Sequence, residues 1–298
     1  MTIKWIVKEG DPKHLREFLR YKGISRRIIG RTKFHGGSFE VNGKEVWVRK
    51  TLEINDQVKL NLPVEEANPN LDTSNKDLNI IYEDEHYLLI NKKVGVLSVP
   101  SPINRTDTVA NRVKGYFVEN NYRHQVVHIV TRLDRYTSGI MLIAKNTLAH
   151  SLIGQQLEEK KIERYYEAIV EGYLKEKEGF ISWPIARSPE SIIERVVSME
   201  GKESITEYKV INELDNHLSH LSLNLHTGRT HQIRVHMAHL GHPLTGDDLY
   251  GGSLEFIDRQ ALHCKELVFE HPFKKEKMVF TAELPGDMNK IRKTEKES

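Results

Sequence analysis

The sequence predicts an α+β protein of two domains, a small basic module followed by a larger unit built on a mixed, largely antiparallel sheet. Three observations carry this expectation. A chain of 298 residues sits where single hydrophobic cores stop growing, so a large domain with an appendage is favoured. From residue 78 onward short apolar strands dominate, at 80–82, 87–91, 140–144, 165–170, 221–225 and 278–282, and helical patterns interrupt them irregularly. Charge is uneven. Residues 1–50 hold seven Lys and six Arg against five acids, a balance of +8, while the other 248 residues carry −6 within a formal total of +2.

In the first module, Asp11-Pro12 ahead of Leu15, Phe18 and Leu19 marks the start of an amphipathic helix that ends before Gly23. Ser25 is the N-cap of a second helix, RRIIGRTKF, which carries Arg26, Arg27, Arg31 and Lys33 and offers Ile28 and Ile29 to a small core. Gly36-Gly37 breaks that helix. Phe39 and Val41 alternate into Val46 and Val48 across Asn42-Gly43, a hairpin signal, and Val58, Leu60 and Leu62 supply a third strand. Basic clusters of this kind attract phosphate backbones by counterion release. Pro63 and Pro69 among Asn, Ser and acids, with no hydrophobic period, mark a linker. The chain accordingly divides into a module at 1–64, a linker at 65–77, a larger domain at 78–285 and a polar, frayed tail at 286–298.

Composition narrows the chemistry. With 38% hydrophobic and 29% charged residues the chain can bury a core and is neither disordered nor collagen-like. No run nears the roughly 20 apolar residues of a membrane span, and the opening MTIKWIVKEG lacks a signal-peptide pattern, so the cytoplasm is the expected place and no membrane partner is expected. Cys264 is the only cysteine, which rules out an intramolecular disulfide. His226, His231, His236, His239 and His242 invite a metal reading, with His236 and His239 three apart on a helix; no HExxH spacing occurs, and no metal is expected. No cofactor is expected either: GxGxxG is absent, and around Gly37 to Lys44 the phosphate-loop spacing fails.

The most informative stretch is VTRLDRYTSGIMLIAKN, residues 130–146. Asp134 lies between Arg132 and Arg135 and precedes the turn Thr137-Ser138-Gly139 and an apolar strand, an order that can set a carboxylate at a cleft wall. A lone loop aspartate is by itself more often a turn residue. Farther along, Thr230 is the N-cap candidate of a helix with Ile233, Met237 and Leu240 on one face and Gly241 and Pro243 beyond its end. Arg234 falls early in that helix, and Arg229 in the preceding loop suits a phosphate. Tyr166, Ala168 and Val170 share the inward face of their strand.

Arg132-Leu133-Asp134 followed by Thr137-Ser138-Gly139 resembles the signature of the RluA-type pseudouridine synthases, and further blocks fall in that family's order. These are IYEDE at 81–85 with Asn91-Lys92, the strand bearing Tyr166, Ala168, Val170 and Gly172, TGRTHQIRVH at 227–236, GHPLTGDDLYGG at 241–252 and ALHCKELVFEHP at 261–272. Thr131 replaces the family's usual His, Arg164 a frequent Lys and Lys93 a common Pro, while Tyr136 fills a variable slot. Over residues 12–62 the pieces LREFL, ISRRII, GGSFEVNGK and INDQVKL are similar to the alpha-L RNA-binding module, with Asn55-Asp56 where that family often has Gly-Asp.

The resemblance implies a pseudouridine synthase catalytic fold plus a small N-terminal alpha-L RNA-binding domain. It implies a cofactor-independent isomerase that flips a uridine out of structured RNA and converts it to pseudouridine. Asp134 would be the catalytic carboxylate and Arg234 its cation. Tyr166 would stack on the flipped uracil and assist proton removal at C5, and Arg132 would fill the space the base leaves in the RNA stack. Arg229, Arg26, Arg27, Arg31 and Lys33 are the remaining candidate RNA contacts. Ribosomal RNA is the expected partner, since the module resembles those of large-subunit-modifying relatives, with transfer RNA as the alternative; a monomer is expected. The rivals are a non-catalytic RNA-binding or ribosome-assembly factor on the same fold, which Thr131 invites, and a metal-dependent hydrolase built on the histidines.

Overall fold

A computed structural model describes residues 1–102 and 104–293. The chain opens with β1 (Thr2–Ile6), α1 (Leu15–Tyr21), α2 (Arg26–Phe34), β2 (Ser38–Val41), β3 (Lys44–Glu45) and β4 (Gln57–Asn61), the strands forming one antiparallel sheet in the order β1-β4-β2-β3. Leu15, Phe18 and Leu19 of α1 and Ile28 and Ile29 of α2 bury against Phe39, Val41, Val58 and Leu60, each worth about 1.5–3 kcal/mol if fully buried. Ser25 caps α2 as expected, its Oγ accepting the Ile28 N–H at 3.3 Å. Asn42 and Gly43 turn the hairpin with φ of 51° and 77°, the pair of positive values a primed two-residue turn demands.

Two expectations need correction here, and one strand was not anticipated. Asp11 does not start α1. It accepts the Lys8 N–H and pairs with Lys22, while residues 13–15 are held by backbone bonds to 50–52 and the helix begins at Leu15. The hairpin's return strand ends at Glu45, although the Val46 N–H still donates to the Phe39 carbonyl at 2.8 Å, and Val48 lies outside it. The sequence reading also passed over β1, whose residues are all exposed or half-buried because it lies at the sheet edge.

The second unit carries β5 (Ile80–Glu83), β6 (Tyr87–Lys92), α3 (Val109–Glu119), β7 (His128–Ile129), β8 (Ser138–Ala144), α4 (Thr147–Glu158), β9 (Glu163–Glu171), β10 (Glu178–Ile181), β11 (Ile185–Arg187), β12 (Arg195–Val197), β13 (Thr206–Leu214), β14 (Leu218–Leu225), α5 (Gln232–His239), β15 (Leu262–Glu270), β16 (Lys277–Thr281) and α6 (Gly286–Arg292). One sheet runs β10-β13-β14-β9-β15-β8-β6-β5, with β16 added to β15 and β7 to β8, and β11 and β12 form a separate ribbon. Every strand pair within the large sheet is antiparallel except β15 with β8, so the mixed, largely antiparallel α+β architecture holds. All seven residues of β8 are buried at the centre, which explains why its sequence SGIMLIA shows no polar alternation.

Residues 65–77 are fastened down, in contrast to the free linker that the composition suggests. Lys114 and Asn111 of α3 donate to the carbonyls of Asn68, Leu71 and Asp72. Glu65 is 4% exposed, and its carboxylate accepts the Thr147 N–H at 2.7 Å and the Thr147 hydroxyl at 2.5 Å, and meets His128 Nε2 at 2.9 Å. Arg31 of α2 joins this junction through Thr147 Oγ1 at 2.9 Å and Glu65 at 3.4 Å. Leu148 of α4 completes the module's core. The expected frayed tail is α6 up to Arg292, where Met288 and Ile291 cover Ile169, Leu214 and Leu218; residues 294–298 lie outside the described residues.

Candidate active site

Asp134 stands in the loop between β7 and β8, and four anchors fix that loop. Thr131 Oγ1 accepts the Leu142 N–H at 2.9 Å, tying the loop's start to β8. Ser98 Oγ both donates to the Leu133 carbonyl at 2.6 Å and accepts the Leu133 N–H at 3.0 Å. Lys92, 2% exposed, donates its three ammonium protons to the carbonyls of Lys93, Val96 and Arg135 at 2.9–3.0 Å. At the loop's end Gly139 has φ +113°, and a Cβ there would stand 2.3 Å from the Cys264 carbonyl, so only glycine lets β8 run beside β15. Burial pushes the Lys92 ammonium down to about 7, against the nearby Asp134 carboxylate, which favours its charged form.

Arg234 faces Asp134 from α5, with Nη1 3.5 Å from Asp134 Oδ2. Its other edge is committed: Nε and Nη2 form a two-point bond with the buried Asp247, both at 2.7 Å, and the guanidinium lies over the Tyr250 ring with 4.9 Å to its centroid. Burial works against the Arg234 charge, but the bonds and charge of Asp247 with the charge of Asp134 outweigh it and hold its pKa above the ordinary value. The helix is not capped by Thr230. His231 takes the cap position at φ 58° with no side-chain cap, and Gln232 does the holding. The Gln232 amide accepts from Thr227 Oγ1 and Arg229 N and donates to Ile205 O and Thr206 Oγ1, all between 2.8 and 3.0 Å. His231 Nδ1 meets the Tyr250 hydroxyl at 2.9 Å and its Nε2 lies 3.9 Å from Asp134; desolvation keeps the imidazole below its usual pKa.

Tyr166 of β9 joins Asp134 and Arg234 in lining a cleft of about 870 Å³, within the size range of small-molecule sites. The ring is 5% exposed, and burial first, then the neighbouring Cys264, raises its phenol well above the ordinary range. It is therefore a protonated, apolar wall whose hydroxyl is engaged by the Cys264 side chain. Arg132 and Arg229 line the same cleft as exposed cations, and Arg229 Nε reaches the Glu203 carbonyl at 3.1 Å. Arg164 also lines it, donating to the carbonyls of Leu225 and Thr227.

Arg26, Arg27 and Lys33 stand exposed on α2 and do not line the cleft, and Arg31 is drawn into the junction with Glu65. His236 has both ring nitrogens occupied, by Thr206 Oγ1 and the Trp183 carbonyl. Among the described residues no group of three or more His, Cys, Asp or Glu is placed to hold a metal ion, and no helix is long and apolar enough to cross a membrane.

Comparison with known proteins decides the family. The model of the RNA pseudouridylate synthase family matches residues 86–239, the stretch that holds Asp134, Tyr166 and Arg234. The chain belongs to the RNA pseudouridylate synthase family. This synthase is 43% identical over 281 residues to an uncharacterized RNA pseudouridine synthase, YjbO, of Bacillus subtilis, covering 94% of this chain and 99% of that one. It is 37% identical to ribosomal large subunit pseudouridine synthase D of Buchnera aphidicola, over 84% of this chain and 79% of that one. Among solved structures, human RNA pseudouridylate synthase domain containing 1 superposes with a TM-score of 0.57 at 27% identity, covering 70% of this chain and 84% of that one.

Sequence reading missed several parts of the synthase's site. Asp247 and Tyr250 lay within the recognised block at 241–252 without a role. Gln232 and Lys92 likewise sat in recognised blocks, and only the fold reveals what they hold. Ser98 carried no signal at all.

Proposed function

We propose that this synthase isomerises uridines of structured RNA, ribosomal RNA foremost, in the cytoplasm, with Asp134 as the group that acts at the sugar. The observation that carries the proposal is the Asp134 carboxylate 3.5 Å from a guanidinium that Asp247 has already aimed and fixed, at the wall of a cleft closed on another side by Tyr166. A carboxylate there can attack C1′, stabilise positive charge developing on it, or take a ribose proton. The C1′–N1 bond breaks, the uracil turns, C1′ joins C5, and the C5 proton is lost as N1 regains one. The sum is an isomerisation and needs no redox partner.

Tyr166, kept protonated by burial, serves this sequence as the face against which the uracil stacks. Its phenolate is disfavoured as the C5 base. Arg132 and Arg229 contact the RNA at the rim, and Arg132 occupies the space the flipped nucleotide leaves. Residues 1–64 act as an alpha-L-type RNA-binding module whose α2 cations supply salt-sensitive affinity. Ribosomal RNA is favoured because several relatives are named as ribosomal large subunit synthases. Thr131 does not weaken the catalytic reading, since its hydroxyl supports the loop directly.

The test is turnover by the purified protein on transcribed ribosomal and transfer RNAs, read as pseudouridine formed. Wild type is expected to modify ribosomal RNA, and Asp134→Asn to lose turnover by a thousandfold or more on the order of what an essential group supplies, with RNA affinity within a few-fold. Turnover by Asp134→Asn in a pure preparation would sink the catalytic assignment, and modification confined to transfer RNA would move the substrate.

A further inference from the structure

Helix α2 presents an exposed face for which the protein itself supplies no partner. At about 100° per residue, Lys33, Arg26, Gly30, Phe34 and Arg27 fall within one arc of about 120°, with Gly30 near its centre. The opposite arc carries the buried Ile28, Ile29 and Thr32. Arg26, Arg27, Lys33 and Phe34 are all exposed, and no carboxylate pairs with the three cations among the described residues. Phe34 is 70% exposed and Trp47, in the loop after β3, is 72% exposed. The Lys33 ammonium lies over both rings, 4.6 Å from the Phe34 centroid and 5.7 Å from that of Trp47. Arg49 and Lys50 follow Trp47 on the surface.

Gly30 is the second observation. A glycine inside a helix weakens it relative to alanine. Nothing in the fold demands this one: a Cβ built on Gly30 would meet no atom within 4 Å, and no positive φ requires it. Bare backbone at the centre of a cationic, aromatic-edged face is what a closely approaching external chain needs. Large exposed rings beside cations that no carboxylate neutralises match the construction of surfaces that bind unpaired nucleotides, where rings stack on bases and cations take the phosphates.

We infer that the face of α2 formed by Arg26, Arg27, Gly30 and Lys33, with Phe34 and Trp47 at its edge, is a stacking site for an unpaired base of the RNA, the backbone passing over Gly30. It rests on the reading of residues 1–64 as an RNA-binding module and adds to it what the module selects: an unpaired nucleotide in the RNA flanking the target, not duplex charge alone. The rings take the base, and Lys33 and the two arginines take the phosphates on either side.

The experiment uses the full chain with a fluorescein-labelled RNA hairpin bearing an adenosine bulge and its fully paired counterpart, read by anisotropy. Phe34→Ala and Trp47→Ala should each weaken binding of the bulged hairpin by about tenfold and leave the paired one within about twofold. Phe34→Tyr and Trp47→Phe, which keep a ring, should restore the preference. Gly30→Ala should raise the thermal midpoint yet weaken the bulged complex, a combination that loss of folding cannot produce. If the Arg26→Ala/Arg27→Ala protein loses affinity for both hairpins while the ring and Gly30 variants bind like wild type, the stacking site is overturned and the RNA-binding module stands. If the arginine variant also binds both hairpins unchanged, the module's RNA role fails and takes the stacking site with it.

Discussion

At the scale of single residues, the site is a chain of dependencies that ends on Asp134. Asp247 fixes Arg234 by two bonds, and Arg234 in turn faces Asp134. Lysine cannot reproduce that fork, so Arg234→Lys is expected to lower kcat by about a hundredfold with a smaller change in KM. Thr131→Val should leave the Leu142 N–H without its partner at a cost of about 1–3 kcal/mol, measurable by denaturant unfolding, and should slow turnover by loosening the loop. Lys92 gives a pH signature whose two halves have opposite signs. Its folded pKa is pushed down to about 7 from 10.5, so below 7 it is charged whether folded or not and its burial penalty is fully present. Between 7 and 10.5 the unfolded chain holds the extra proton, so this group's contribution to stability rises with pH. Over the same window the neutral amine has two N–H donors for three carbonyls, and the loop that bears Asp134 slackens. Wild-type kcat should therefore fall on the alkaline side while stability gains from this group, and Lys92→Met should lower kcat and flatten both profiles. Asp134 and Arg234 could be picked out in sequence because they lie in motifs. The supporting Ser98, Gln232 and Asp247 could not be assigned, because their partners are between 3 and 43 residues away and only the fold brings most of them together.

At the scale of elements, local signals read best where local chemistry decides the outcome. Ser25 capping α2, the Asn42-Gly43 turn and the apolar strands β6, β8 and β9 were all legible for that reason. The failures share a cause as well. Asp11 looked like a helix start, but long-range backbone bonds from 50–52 delay α1 to Leu15. In α6 only Met288 and Ile291 meet the core, too few apolar positions to separate a docked helix from a frayed tail. Glu65 read as one acid in a linker, whereas its carboxylate sits at the N-terminus of α4, where helix dipole and unpaired N–H favour an anion. Burial opposes its charge, and bonds from His128 and Thr147 prevail, lowering its pKa from 4.5 to about 2. The stabilisation is complete above pH 4.5 and is lost as pH falls toward 2. Glu65→Ala should remove that part of the acid dependence, and hydrogen exchange in α2 and the first turn of α4 should quicken.

At the scale of the molecule, a module of net positive charge is docked against a catalytic unit of net negative charge, through a packed linker and a shared core at Leu148. Deleting residues 1–64 would strip that core, so point changes are the sound test of the module. Replacing Arg26 and Arg27 by Ala should make the slope of log affinity against log salt shallower by about 1.4–1.8 for two lost phosphate contacts, with kcat at saturating RNA unchanged. The same docking holds α2 in register with the cleft, since the connection between them is not a free tether. The central claim is that Asp134 makes this chain a working synthase on ribosomal RNA. Its most direct test is carbodiimide-stop mapping of pseudouridine in ribosomal RNA from cells lacking the gene, complemented with wild type or with Asp134→Asn at equal protein levels. One or a few stops should vanish in the deletion and return only with wild type; their return with Asp134→Asn would contradict the account.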